Sequence, residues 1–115
     1  MVKREVIGAH YGLRDWLAQR ITAVVMGAYT LMMLAVLAGI PRLDYWYWKA
    51  LWEVPVMRYA TLLFLLSLYL HAWIGVRNIF MDYIKDAGLR LVLYVIVISA
   101  LVWYAVWSVQ ILWSL

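Results

Sequence analysis

Five small or polar residues share one helix face within and just beyond a long apolar segment. They are Ser67, His71, Gly75, Asn78 and Asp82, at intervals of four, four, three and four residues. Residues with this spacing lie on one side of an α-helix. Because a polar face is unfavourable against lipid, we expect it to face a partner helix, a water-filled cavity or a cofactor.

His71 allows two interpretations from its position alone. It lies about 5 Å from the middle of the charge-free segment 59–76, at ~1.5 Å per residue. In the first, the imidazole hydrogen-bonds to a neighbouring helix, an interaction worth ~0.6 kcal/mol on average in membranes. In the second, the neutral imidazole coordinates a metal, above all haem iron, and Gly75 leaves room for a flat macrocycle. The spacing leaves both interpretations open.

The haem interpretation requires a second axial ligand. His10 is the other histidine of the chain, and it lies in the polar N-terminal arm, too far away to reach the same iron. The chain has no cysteine, which excludes disulfides and Cys-ligated metals. A haem bound by two histidines therefore predicts a partner protein that supplies the second one.

Tyr83 follows Asp82 at the end of the same helix. A tyrosine at this level is commonly an interfacial anchor. Beside a carboxylate, its phenol can instead donate a hydrogen bond to a ligand, while the carboxylate orients partners or relays protons. The residue types leave both roles open.

Three charge-free segments must position these residues. They comprise residues 21–40, 59–76 and 91–115, and each is long enough to cross a hydrocarbon core of ~30 Å as a helix. Barrel strands are shorter and alternate in polarity, so the segments predict helices. We predict an all-α membrane protein with one membrane-anchor domain over residues 1–115. Its helices span about 16–40, 56–83 and 89–114, and the first is expected to be retained rather than cleaved as a signal peptide.

An aromatic segment connects the first two predicted membrane helices. Tyr45, Trp48 and Trp52 lie at i, i+3 and i+7, which predicts a short interfacial helix in the aromatic belt. Asp44 is a suitable N-cap for it. Pro55 suits the first turn of the second membrane helix.

Three further residues are expected at the ends of the membrane helices. Asp15 is interpreted as a cap of the first helix, or as a charge near its positive end. Gly88 marks the turn before the third helix. Arg90 is expected to open that helix at the interface.

The basic residues predict how the chain is oriented. Seven precede the first membrane helix or lie between the second and third, whereas three lie between the first and second. The positive-inside rule then places the N-terminus in the cytoplasm and the C-terminus in the periplasm. The basic residues are not clustered as in a nucleic-acid-binding surface, so we expect no nucleic-acid partner.

The end of the second membrane helix reads HAWIGVRNIFMDYIK from His71 to Lys85. The H-A-W-I-G element, with D-Y-I-K beginning seven residues after its glycine, resembles the small hydrophobic membrane anchor (the cytochrome b small subunit) of bacterial succinate dehydrogenase. The resemblance extends to Arg14-Asp15-Trp16 and Arg20-Ile21-Thr22 before the first helix. The three-helix plan and the length fit as well.

This resemblance implies a component of respiratory complex II in the bacterial inner membrane that is not catalytic alone. In such a complex, a flavoprotein and an iron–sulfur subunit oxidise succinate on the cytoplasmic side. Two different membrane anchors hold a b-type haem between them and form the ubiquinone site with the iron–sulfur subunit. The second of these, called here the partner anchor, is a separate protein.

By resemblance, residue roles follow as well. His71 is an axial haem ligand, and the partner anchor supplies the other. Tyr83 hydrogen-bonds the quinone and Asp82 supports that site. Arg20 lies near the haem propionates, and Arg14 stands where some relatives have a histidine near them.

Two other functions remain compatible with these residues. One is the anchor of a fumarate reductase, which runs the same chemistry in reverse. The other is a structural or assembly protein whose polar face packs on a partner helix without a cofactor.

Overall fold

The computed structural model describes the backbone of residues 2–115 and the side chains of residues 12–115. The side chains of His10, which is not expected to reach the iron at His71, and of Lys3, which is expected to face the cytoplasm, lie outside this part. The chain forms four helices: α1 (Val2–Gly39), α2 (Tyr45–Glu53), α3 (Pro55–Tyr83) and α4 (Ala87–Trp113). The predicted all-α fold, with a short helix between the first two long ones, is confirmed.

The three long helices each contain a segment long and apolar enough to cross a membrane: Gly12–Gly39, Pro55–Tyr83 and Ala87–Trp113. α3 is the central element, because it packs against both α1 and α4. Most large apolar side chains remain exposed. An apolar surface of this extent must be covered by lipid or by partner proteins, as expected of a multi-pass membrane protein.

Asp15 does not cap α1. The helix begins at Val2, upstream of the predicted start near residue 16, so that Asp15 lies well inside it. The residues before the apolar segment include no proline that would end a helix. Asp15 instead faces α3, where it meets an arginine.

The short helix α2 begins as predicted. The Asp44 carboxylate accepts a hydrogen bond from the backbone N–H of Tyr47 at 3.0 Å, which confirms it as the N-cap. Pro55 occupies the first turn of α3, where its missing N–H costs nothing. Arg58 Nε donates to the carbonyl of Trp52 at 2.6 Å and so fixes the corner between α2 and α3.

Three residues join α3 to α4. α4 begins at Ala87, and the N-cap Asp86 accepts a hydrogen bond from the backbone N–H of Gly88 at 3.3 Å. Gly88 therefore lies in the first turn of α4 and not before it, because Asp86 supplies the cap. Arg90, two residues after Gly88, reaches back to the carbonyl of Ile84 at 3.5 Å. This tight turn defines one end of the bundle, called here the turn end.

Candidate functional site

His71 is bonded to α1 through one nitrogen of its ring. Its Nδ1 lies 2.9 Å from the hydroxyl of Thr22, which is buried between the two helices. The same hydroxyl lies 2.7 Å from the carbonyl of Ala18 and 3.1 Å from that of Gln19. His71 is half-buried, and Nε2 has no hydrogen-bond partner among the described side chains. The imidazole thus makes the helix contact of the first interpretation and keeps a second nitrogen for another partner.

Gly75, one turn along α3, lies beside the same part of α1. A Cβ at this position would meet Gln19 Nε2 at 3.9 Å and no other atom outside α3 within 4 Å. The space next to Gly75 within this chain therefore belongs to the α1–α3 contact. The approach of a flat macrocycle to Gly75 stays a prediction.

An ion pair joins α1 and α3 nearer the turn end. Arg77 donates from its guanidinium to the Asp15 carboxylate, and the two side chains are 29% and 32% exposed. Arg77 Nε and Gln19 Oε1 are enclosed without a hydrogen-bond partner. This part of the contact therefore holds a strong charge pair together with one unused donor and one unused acceptor.

Tyr83 and Asp82 lie at the turn end of α3. Tyr83 is the last residue of the helix and is 78% exposed, and Asp82 is exposed as well. Neither side chain is bonded to another described residue. Tyr83 lies about 18 Å along the helix from His71, since twelve residues rise ~1.5 Å each. The structure therefore separates the histidine from the tyrosine–aspartate pair along one helix.

Arg14 and Arg20 are exposed on α1, away from the Thr22–His71 contact. The Arg20 guanidinium lies over the Trp16 ring, 5.2 Å from its centre. At ~100° per residue, Arg20 projects about 160° away from Thr22, whereas Arg14 projects about 80° away. The described side chains offer no carboxylate partner to either arginine, so both are free to meet an anionic group from another molecule.

The opposite half of the helix pair contains polar contacts of another kind. The Tyr29 hydroxyl lies 2.7 Å from Thr61 Oγ1, which itself bonds to the carbonyl of Met57 at 2.8 Å. Between α3 and α4, the Tyr69 hydroxyl lies 2.6 Å from Ser108 Oγ. These hydroxyl pairs satisfy each other within the chain.

Residues 12–115 contain no group of three His, Cys, Asp or Glu side chains that could hold a metal ion. His71 is the one histidine among these residues, so this part of the chain offers a single imidazole nitrogen ligand. One imidazole with an unbonded Nε2, held at membrane depth by a hydrogen bond to α1, suits a haem iron shared between two proteins.

Two contacts of this site were missed in the sequence. Thr22 received no role, although it is a hydroxyl at the start of an apolar segment. Asp15 and Arg77 were not paired, although they are opposite charges next to two membrane segments. The residue types that signal these contacts are present in the sequence. The partners are 49 and 62 residues apart, however, and only the packing of α1 on α3 brings them together.

Comparison with known proteins places these residues in a wider context. A family model described as "Succinate dehydrogenase/Fumarate reductase transmembrane subunit" matches residues 2–108. The chain is 40% identical over 102 residues to the "Succinate dehydrogenase hydrophobic membrane anchor subunit" of Coxiella burnetii (strain RSA 493 / Nine Mile phase I). That match covers 89% of each chain. Both matches confirm the resemblance carried by the H-A-W-I-G and D-Y-I-K elements.

Proposed function

The chain belongs to the family of succinate dehydrogenase/fumarate reductase transmembrane subunits, and we propose that it anchors a succinate:ubiquinone oxidoreductase in the bacterial inner membrane. A membrane anchor of this family lies in the lipid bilayer and contacts other proteins of the complex. The proposed partners are the partner anchor, an iron–sulfur subunit and a flavoprotein. The succinate direction is favoured because the Coxiella relative is described as a succinate dehydrogenase subunit.

The observation that carries the proposal is the state of the His71 ring. One nitrogen is bonded to Thr22, while the other has no partner within the described chain. An intramembrane imidazole with an unbonded nitrogen is a ligand available to a partner. We propose that Nε2 binds the iron of a b-type haem whose other axial ligand comes from the partner anchor. Bound there, the haem supplies a one-electron carrier within the membrane.

Two arginines are proposed to receive the haem propionates. Arg14 and Arg20 are exposed on α1 and carry no carboxylate partner among the described residues. An arginine near the bilayer favours an anionic partner, and a propionate satisfies its forked donors. Arg14 projects closer to the side of His71 than Arg20 does, and either guanidinium would supply charge-assisted hydrogen bonds to a propionate.

Tyr83 is proposed to bind ubiquinone at the turn end. Its hydroxyl is exposed where α3 ends, and the described residues offer it no other bond. A quinone carbonyl is an acceptor that becomes more basic as electrons arrive. A phenol donor therefore binds the reduced forms better than the starting quinone, which is the differential interaction that catalysis requires.

Asp82 is proposed to act on the quinone site through other groups. It is exposed beside Tyr83, and a carboxylate at this position can hold a basic side chain of the partner anchor or an ordered water. The group that Asp82 holds would then supply protons to the quinone oxygens as they are reduced. Tyr83 would orient the ring while Asp82 maintains the route for protons.

The orientation follows from the basic residues and is part of the proposal. The turn end and the N-terminus are placed on the cytoplasmic side, where seven of the ten Lys and Arg residues lie. Cysteines introduced at positions 3 and 115 and exposed to an impermeant thiol reagent on intact cells should label only at 115. Labelling only at position 3 would reverse the topology.

An optical spectrum of the purified membrane complex tests the function directly. A membrane anchor that shares a haem gives a Soret band and a low-spin b-type spectrum that responds to succinate or dithionite. A complex that contains all four proteins but no haem absorption would leave only a cofactor-free structural role. Comparing the rates of succinate oxidation and fumarate reduction with ubiquinone would then distinguish the two directions of the reaction.

A further inference from the structure

A buried hydroxyl faces the nitrogen of His71 that does not bind iron in the proposed function. The hydroxyl of Thr22 has one hydrogen, and three acceptor atoms lie within reach: the carbonyls of Ala18 and Gln19 and Nδ1 of His71. The shortest of these distances, 2.7 Å, is to Ala18. Which of the three receives the hydrogen determines which tautomer of His71 is favoured.

Two other buried hydroxyls of the bundle, those of Thr61 and Ser108, indicate the direction of this hydrogen bond. Thr61 bonds back to the carbonyl four residues earlier at 2.8 Å and meets a tyrosine hydroxyl of α1. Ser108 bonds back in the same way at 2.7 Å and meets the hydroxyl of Tyr69. A carbonyl can only accept, so a hydroxyl that gives its single hydrogen to its own helix in this way accepts the bond from the partner helix.

The same rule applied to Thr22 places a proton on His71 Nδ1. If the Thr22 hydrogen goes to Ala18, the Thr22 oxygen can only accept, and Nδ1 must donate. Nε2 then carries the lone pair. The opposite arrangement would leave an N–H on Nε2 without an acceptor among the described residues, which is costly away from water.

We infer that Thr22 is a positioning residue for His71: its hydroxyl accepts the Nδ1–H bond, fixes the tautomer that exposes the Nε2 lone pair, and lowers the reduction potential of the bound haem. This inference rests on the proposed function, since it assigns a role toward the same iron. A hydrogen bond from the far nitrogen makes an imidazole more electron-donating, which stabilises ferric over ferrous iron. It also fixes the rotation of the ring, because Thr22 is itself tied to the carbonyl of Ala18.

The test is Thr22→Val in the complete complex, which keeps the side-chain shape and removes the acceptor. Outer-shell partners of metal ligands commonly contribute a factor of ~10–100. We expect the preference for ferric over ferrous haem to fall about tenfold, a rise of about 59 mV for one electron. The measurement is a redox titration of the haem absorption band, together with the low-spin electron paramagnetic resonance signal of the oxidised complex.

Thr61→Val is the matched control. It removes a buried threonine hydroxyl from the same helix pair, with the same bond to its own helix, but ten residues from His71. The haem potential should stay unchanged in this variant. Thr22→Ser, which keeps the hydroxyl, should restore the wild-type potential if the hydrogen bond is the cause.

The outcomes separate this inference from the proposed function. A fully haem-loaded Thr22→Val complex with the wild-type potential would overturn the role of Thr22 and leave the haem proposal intact. Equal shifts of the haem potential in Thr22→Val and Thr61→Val would show that Thr22 contributes only to helix packing. A wild-type complex without low-spin haem would overturn both proposals. Should Thr22→Val fail to assemble, redox-difference infrared spectroscopy of the wild type decides, because a histidine with protonated Nε2 excludes the proposed tautomer.

Discussion

The two halves of α3 use their polar groups differently. In the half from Pro55 to Leu70, the hydroxyls of Thr61 and Tyr69 are bonded to hydroxyls of α1 and α4 at 2.7 and 2.6 Å. In the half from His71 to Tyr83, several polar groups have hydrogen-bonding capacity that the described residues do not use. His71 Nε2, Arg77 Nε and the Tyr83 hydroxyl have no hydrogen-bond partner among the described residues.

This difference separates polar groups that hold helices together from polar groups that are open to another molecule. A membrane helix gains little from a polar group that the chain itself cannot satisfy. Groups bonded within the chain are explained by packing. We propose that the unsatisfied groups between His71 and Tyr83 meet partners, namely a cofactor, a quinone and the other proteins of the complex.

His71→Ala should produce the largest effect, because it removes the unsatisfied nitrogen at the centre of the comparison. We expect complete loss of the low-spin b-type spectrum, since alanine offers no ligand. Optical and electron paramagnetic resonance spectra of the purified complex measure it. Full haem content with an unaltered spectrum in this variant would show that another residue binds the iron.

Tyr83→Phe removes one exposed hydroxyl and keeps the ring. Losing a donor aimed at developing negative charge commonly costs a factor of ~10²–10³, so we expect ubiquinone reduction to fall about a hundredfold. Assembly, haem content and succinate oxidation by a soluble artificial acceptor should survive.

The matched control is Tyr59→Phe, at the opposite end of α3, where the ring contacts Trp113. It should leave the rate of ubiquinone reduction unchanged. A normal rate in Tyr83→Phe would make Tyr83 an interfacial anchor with no part in catalysis.

Arg77→Gln tests the ion pair between α1 and α3. The pair is about one-third exposed, so its loss should cost about 1–2 kcal/mol, between exposed and buried pairs. Thermal unfolding of the purified complex measures this as a lower Tm. Arg42→Gln, which breaks the pair with Asp44 on a side chain that is 79% exposed, should change Tm much less. Equal decreases in Tm in the two variants would show that the Arg77–Asp15 pair contributes no more stability than the exposed Arg42–Asp44 pair.

Thr61→Val should have the smallest effect. It removes one interhelical hydrogen bond of the satisfied half, worth ~0.6 kcal/mol on average. Tm should fall slightly, and the haem spectrum and the quinone reductase rate should stay as in the wild type. A change in either functional property would erase the distinction between the two halves.

Much of the fold could be predicted because its signals are local. Charge-free segments mark the spans, and the Asp44 cap and Pro55 fix the ends of α2 and α3. The rotation of each helix about its own axis could not be predicted in this way. Apart from the polar stripe of α3, the helices α3 and α4 are apolar on nearly every side, so hydropathy alone does not set how they are rotated against their neighbours. For this reason the polar stripe predicted that His71 meets another polar group or a cofactor, but it did not identify Thr22 as a hydrogen-bond partner.

The misreading of Asp15 has the same origin. A carboxylate before an apolar segment fits a helix cap when the helix is assumed to start at the membrane. α1 instead begins at Val2, and the partner of Asp15 lies 62 residues away on α3. Pairing across such a separation depends on three-dimensional packing, which no local pattern contains.

The tight connection between α3 and α4 has a consequence for affinity. Tyr83 is the last residue of α3, and the next residue, Ile84, bonds back to the carbonyl of Phe80 at 2.9 Å. The backbone that carries the phenol is thus held in helical geometry by hydrogen bonds on both sides of the helix end. Binding has only the side-chain rotamers of Tyr83 to restrict, at a cost of about 0.5–1.5 kcal/mol. For the proposed quinone, this helix terminus is therefore preorganised, and little conformational entropy would oppose a bond to the exposed hydroxyl.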